Sequence, residues 1–210
     1  MITTHTQLLN ALVEKYNLKS YLEVGVQNPA NNFEKIKCEL KTGVDPETDA
    51  PLVFKVTSND FFLMVNNSGK ELTKGNRISY SMPNIFDLIF IDGDHTKEQV
   101  KLDFENSLRC LSDHGFIVIH DVLPENEEGT IVPRQTKRWW GDVYKFAMTI
   151  HTYDRIDFKT FNIDEGCMLV WIDKSNTKHR PYIKNNAYSN WEWYKLYGHA
   201  LMNVTDEVVI

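Results

Sequence analysis

Apolar residues at 8, 9, 12, 13 and 16 of TQLLNALVEKY recur at helical spacing and predict an opening helix. SYLEV, residues 20–24, is a short apolar run that reads as a buried strand. A second helix is predicted next, because Asn31 followed by Glu34 is a capping pattern and Phe33, Ile36 and Leu40 form an apolar stripe. TGVDP (42–46) ends a second strand, which Pro46 stops, and PLVFKVTS (51–58) reads as a third. DFFLMVNNSG predicts a short helix closed by Gly69.

IFDLIFID (85–92) is the strongest strand signal, apolar on both faces and therefore central. Thr96 with Gln99 makes another capping box, opening a helix that turns Val100, Phe104, Leu108 and Leu111 inward. GFIVIHD (115–121) is a fifth strand, followed by a polar loop over 122–138 and a helix over 139–150. RIDFKTFNI (155–163) and GCMLVWID (166–173) are two strands joined by an Asp-Glu-Gly turn, which suits an antiparallel pair. A last short helix falls in NWEWYKLYGHALM.

Strands alternating with helices predict an α/β fold: a doubly wound, mostly parallel sheet of seven strands, closed by a C-terminal antiparallel hairpin. An all-parallel nucleotide-binding sheet would not end that way. The expected organisation is one domain over residues 1–173, with an aromatic-rich extension, 174–210, packed on it.

Composition narrows the function classes. A net charge of -6 argues against a nucleic-acid partner, which needs a basic face. No apolar run approaches membrane-spanning length, and MITTHTQLLN lacks the features of a signal peptide. Three scattered cysteines form no C-x-x-C pair. The expectation is a reduced, cytoplasmic protein with a small-molecule or glycan partner and no membrane; a homo-oligomer stays open.

In a doubly wound sheet, ligands sit beyond the carboxyl ends of the strands. Those ends carry Glu23 and Gly25, then Asp45, then Ser58, Asn59 and Asp60, then Asp92, Gly93, Asp94 and His95, and finally His120 and Asp121. Gly25 permits close approach of backbone to ligand. Asp45, twenty residues later, stands where an acid can bond a ribose diol. The other glycines of a dinucleotide turn are replaced by residues 28–31, so the turn is not shaped for a pyrophosphate. Glu23 would repel a phosphate and favour an ammonium or sulfonium.

LEVGV, GVDP, FDLIFIDGDH and GFIVIHD together resemble the class I S-adenosylmethionine-dependent methyltransferases, and more narrowly the macrocin O-methyltransferase-like branch, over roughly residues 18–172. The resemblance implies S-adenosyl-L-methionine as cofactor, held by Glu23 and Gly25 at its methionine part, Asp45 at its ribose, Ser58 with Asn59 or Asp60 at its adenine, and Asp92 near its amino group or a metal. Some members bind Mg2+ through acids at the ends of strands four and five, here Asp92 and Asp121. Metal-binding members commonly carry two adjacent acids at the latter place, where this chain has His120-Asp121.

The chemistry implied is methylation of a sugar or other small-molecule hydroxyl. His95 is the preferred general base, its unperturbed pKa being near neutral. Asp94 is the second choice, as base or as the group that orients His95. Each residue has a plainer reading: Asp92, Asp94 and Asp121 as caps, His120 as a hydrogen-bonded core histidine. Trp139 and Trp140 stack on a sugar or fill the core, and Arg134, Lys137 and Arg138 greet an anionic acceptor or form a solvated charge run. Two rival functions stand beside this one. A metal-dependent glycosyltransferase would use Asp92-Gly93-Asp94, and a degenerate methyltransferase fold would only bind.

Overall fold

The computed structural model describes residues 1–66, 72–74, 78–80, 84–176 and 190–210. Its main sheet is built from β1 (Ser20–Val24), β2 (Leu40–Val44), β3 (Val53–Phe54), β6 (Phe86–Ile91), β7 (Leu111–Ile119), β8 (Ile156–Phe161), β9 (Cys167–Ile172) and β10 (Val204–Thr205). The order across it is β10-β8-β9-β7-β6-β1-β2-β3. β1, β2, β3, β6 and β7 run parallel, and β9 is antiparallel to both β7 and β8. A separate antiparallel ladder joins β4 (Leu72–Lys74) to β5 (Ile78–Tyr80).

The central strands are buried on both faces, which is why they read as unbroken apolar runs. One face packs against α2 (Ser58–Asn66), α3 (Lys97–Arg109), α4 (Val143–Ala147) and α5 (Trp191–Leu201), around Ile89, Ile91, Phe104 and Phe146. The other packs against α1 (His5–Tyr16) through Leu8, Leu9 and Leu12, which meet Tyr21, Phe90 and Val118. Each of those leucines is fully buried, contributing about 1.5–3 kcal/mol of transfer free energy. Thr4 caps α1 by accepting from the Gln7 N–H, and Asn17 ends it in a left-handed conformation. This places His5, the first residue of α1, above the carboxyl ends of the strands.

The sheet and closing hairpin follow the sequence pattern, and four details do not. No helix forms over 31–40: Asn31 caps nothing, and only a 3-10 turn, Phe33–Lys35, appears. Leu40 pairs with Ser20 in β2 and is exposed, while Asn32 is drawn inward by Tyr21 and Glu23. The third strand shrinks to two residues because Ser58 starts α2, with Thr57 accepting from the Asp60 N–H. Leu111 belongs to β7, which starts early and is broken by a register shift near Gly115. Helix α4 covers only Val143–Ala147, since Gly141 bends at φ +60 where a Cβ would lie 1.9 Å from the His95 carbonyl oxygen.

Beyond the expected seven strands, two-residue β10 extends the edge alongside β8. α5 meets α4 through Tyr194, whose ring lies 4.9 Å from that of Tyr144. Gly69, the expected end of α2, lies outside the described residues. No helix among the described residues is long and apolar enough to cross a membrane.

Candidate active site

An open cleft of about 1040 Å³ lies over the carboxyl ends of β1, β2, β6 and β7. Its floor begins at Gly25, whose φ is +89 and whose missing Cβ would sit 2.2 Å from the Asp92 carbonyl oxygen. Only glycine lets the β1 and β6 ends meet this closely.

Glu23 is 2 % exposed, and its Oε2 accepts from the Tyr21 hydroxyl at 2.6 Å and from Asn32 Nδ2 at 2.9 Å. Asn32 is held in turn by the Thr6 hydroxyl at 2.8 Å. Burial, with Asp92 adding to it, pushes the Glu23 carboxyl up to about 8. A cation seated beside this carboxyl would favour its ionised form.

Asp45 closes β2 and lines the cleft, yet its carboxylate already serves the backbone. Oδ2 accepts from the Gln27 N–H at 2.8 Å, and Oδ1 from Glu47 and Thr48 at 2.8 and 2.9 Å. Burial opposes its charge, and these three donors outweigh burial to hold it below the usual carboxylate range.

Ser58 and Asn59 flank the cleft at the start of α2 and are joined to α3 through Gln99. Gln99 Nε2 donates to Ser58 Oγ at 3.1 Å, Asn59 Oδ1 at 3.2 Å and buried Asp103 at 2.9 Å. Asp60 turns away to accept from the Thr57 hydroxyl.

The β6 and β7 ends bring two acids between two imidazoles. His120 Nδ1 lies 3.1 Å from Asp92 Oδ1 and 3.4 Å from Asp121 Oδ1. His95 Nδ1 lies 3.1 Å from Asp121 Oδ2 and 3.3 Å from the Trp139 carbonyl, and its Nε2 is 3.6 Å from Asp92. Asp92 is held well below the usual range: burial works against it, and His120 and His95 overcome burial. For His95, burial is likewise outweighed by Asp92 and Asp121, and its pKa is raised. Asp121 sits at φ +59, with its carboxyl pushed up to about 6, mainly by burial. Asp94 lines the cleft, but its Oδ1 accepts from the Thr96 N–H.

A family model described as a methyltransferase domain matches residues 27–122. Among solved structures, an O-methyltransferase from Bacillus cereus in complex with SAH is similar at a TM-score of 0.57, with 17 % identity and 80 % of each chain covered. An SAH-bound methyltransferase from Podospora anserina is similar at 0.55, with 14 % identity, covering 80 % of this chain and 78 % of that one. An O-methyltransferase from Streptomyces achromogenes involved in tomaymycin synthesis, in complex with SAM, also scores 0.55, with 13 % identity over 80 % and 79 %.

The fold is a Rossmann-like methyltransferase fold. In this methyltransferase fold the expected site residues Glu23, Gly25, Asp45, Ser58, Asn59, Asp92, Asp94, His95 and Asp121 all line one cleft or stand at its floor, except that Asp60 faces away. The expected partnership of Asp94 with His95 is not formed; Asp92 and Asp121 orient that ring instead. Trp139 stacks on His95 with centroids 5.2 Å apart, whereas Trp140 is buried and serves the core. Arg138 is committed to Glu125 and Glu165. Arg134 lines the cleft beside Trp139.

Asp92, His95 and Asp121 each offer a ligand atom within 4.8 Å of the others. This donor set does not fit Mg2+, which demands a shell of oxygens. Both carboxylates already face imidazole nitrogens.

Several cleft residues carry no signal in the pattern of the chain. Asn32, Gln27 and Thr48 act through side-chain or backbone bonds that only the folded turns create, and Gln99, legible only as a cap partner of Thr96, reaches Ser58 across the cleft. His5 lies 85 residues or more from the acid and rings that it meets in space, and no spacing rule links them.

Proposed function

We propose that the protein is an S-adenosylmethionine-dependent O-methyltransferase acting on a sugar or other small-molecule hydroxyl. The observation that carries this reading is the pairing of the Gly25 bend with buried Glu23: a backbone cradle and one acid, with no glycine-rich turn for a diphosphate. The solved methyltransferases that share the fold, two bound to SAH and one to SAM, support it.

When bound, the cofactor supplies an electrophilic methyl on a sulfonium sulfur. Glu23 would face its positive charge beside the Gly25 bend, Asp45 would stand at the ribose, and Ser58 and Asn59 would stand at the adenine end. The Asp92–His120–Asp121–His95 cluster fixes the cleft floor in one arrangement. The enzyme's task is to align acceptor oxygen, methyl and sulfur, and to remove the hydroxyl proton. His95 is poorly placed for that removal. Its Nδ1 faces two acceptors and its Nε2 lies 3.6 Å from a third, and these acids raise its pKa, which favours the protonated ring. Asp92 and Asp94 are engaged separately, which disfavours a metal-bound D-x-D reading.

Calorimetry with SAH, NAD and UDP-glucose tests the reading. The expected result is a micromolar or tighter dissociation constant for SAH, about 8 kcal/mol, and none measurable for the others. Binding of UDP-glucose in place of SAH would sink it. Release of SAH from SAM in the presence of polyhydroxyl acceptors then separates an enzyme from a binding module.

A further inference from the structure

Three histidines line the cleft, and they are not equivalent. His120 has both nitrogens engaged: Nε2 donates to the Asp164 carbonyl at 2.6 Å, and Nδ1 faces Asp92 and Asp121. His95 likewise meets acceptors on both sides of its ring. His5 differs. Its Nδ1 is buried and lies at ion-pair distance, 2.6 Å, from Asp164 Oδ2 without hydrogen-bond alignment, and among the described residues no hydrogen bond reaches its Nε2. The ring is stacked on Phe90 at 5.2 Å and meets His120 edge-on at 4.8 Å, so it is clamped rather than free to swing. The backbone N–H of His5 also donates to Asp164 Oδ2 at 2.8 Å, which ties the start of α1 to the β8–β9 turn.

We propose that His5 is the proton acceptor for the substrate hydroxyl and that Asp164 positions it. The inference rests on the methyltransferase reading above. A carboxylate is acceptor-only, so Asp164 places the proton of neutral His5 on Nδ1 and leaves the Nε2 lone pair for the cleft. The hydroxyl proton passes to Nε2 as the new O–CH3 bond forms. The CH3–S bond breaks, its electron pair stays on sulfur as a neutral thioether, and the proton later leaves His5 for water. Asp164 stabilises the imidazolium that forms. The groups that face His5 are Asp164 from the β8–β9 turn, His120 from the end of β7 and Phe90 from β6.

Wild type, His5→Asn and Asp164→Asn in the full chain decide the matter. Three measurements are made on each: SAH affinity by calorimetry, histidine nitrogen shifts by NMR with SAH bound, and methyl transfer to catechol as a surrogate hydroxyl acceptor. The expected results are SAH affinity within about threefold throughout and a His5 ring protonated on Nδ1 only. His5→Asn should lower transfer by about 100-fold or more, the usual worth of a general base. Asp164→Asn should lower it by about tenfold and move the acid limb of the pH profile to lower pH, which loss of packing alone would not do. A proton found on Nε2 of neutral His5, or unimpaired transfer by His5→Asn, overturns the proposal. If catechol is not turned over, the nitrogen shifts alone decide. Failure of wild type to bind SAH would instead overturn the function proposed above.

Discussion

His120 Nδ1 is 3.1 Å from Asp92 Oδ1, while its other nitrogen donates to the Asp164 carbonyl at 2.6 Å. A ring with acceptors on both nitrogens holds both protons. Burial works against that charge, but Asp92 and then Asp121 overcome it and raise the pKa to about 10. His120 is thus a fixed cation between two acids at the cleft floor.

Removing that cation should be costly. His120→Ala would leave two carboxylates facing each other with only His95 between them, and loss of one partner of a buried pair costs about 3–5 kcal/mol. The sign with pH is set by the raised value. A group with a higher pKa folded than unfolded contributes fully below its unfolded pKa, about 6.5, and that contribution fades as pH rises toward about 10. Wild-type stability should therefore fall between about pH 7 and pH 10 more steeply than that of His120→Asn. Urea denaturation at both pH values checks this, and parallel slopes for the two proteins would count against the cationic assignment.

Gly25→Ala should damage the cleft more than a surface glycine would. The substitution must hold a side chain at φ +89, which alone costs about 1 kcal/mol or more. It must also move the Asp92 carbonyl, which lies 2.2 Å from the new carbon and is backbone rather than a flexible side chain. Because β1 and β6 meet here, the expected outcome is a loss of about 2 kcal/mol or more and of most SAH affinity. Thermal denaturation and calorimetry measure both. Retention of wild-type affinity would show that the ligand does not lie on this bend.

The sheet was legible because its central strands are buried on both faces, so IFDLIFI and GFIVI need no context to declare themselves. The residues lining the cleft were legible for the same reason: strand ends are fixed once strands are fixed, and Glu23, Asp45, Asp92 and Asp121 follow directly. What failed was helix length. Asn31, Phe33, Ile36 and Leu40 carry a genuine helical stripe, but β2 must begin at Leu40 to pair with Ser20, and tertiary pairing overrides local spacing. His5 was illegible because its partners come from β6, β7 and the β8–β9 turn, far along the chain. The paired state of His95 was hidden too, since it depends on Asp121 approaching from another strand end.

Glu23 gives the sharpest joint test of stability and function. Its carboxyl is raised to about 8, chiefly by burial and then by Asp92, so between its unfolded value near 4.5 and about 8 the folded protein binds more protons than the unfolded chain. Stability credited to the neutral form is complete at low pH and lost as pH climbs through about 8. Glu23→Gln keeps an oxygen for Tyr21 and Asn32 but never ionises. Its stability relative to wild type should rise by about 2–3 kcal/mol between pH 6 and pH 9. The same change should weaken SAH by about tenfold or more, because the ligand's ammonium loses its facing carboxylate. Binding to wild type at about pH 7 should then release up to about one proton, as the incoming cation ionises Glu23. Calorimetric enthalpies in phosphate and in Tris would differ for wild type and coincide for Glu23→Gln; equal enthalpies for wild type in the two buffers would mean that Glu23 does not face the bound cation.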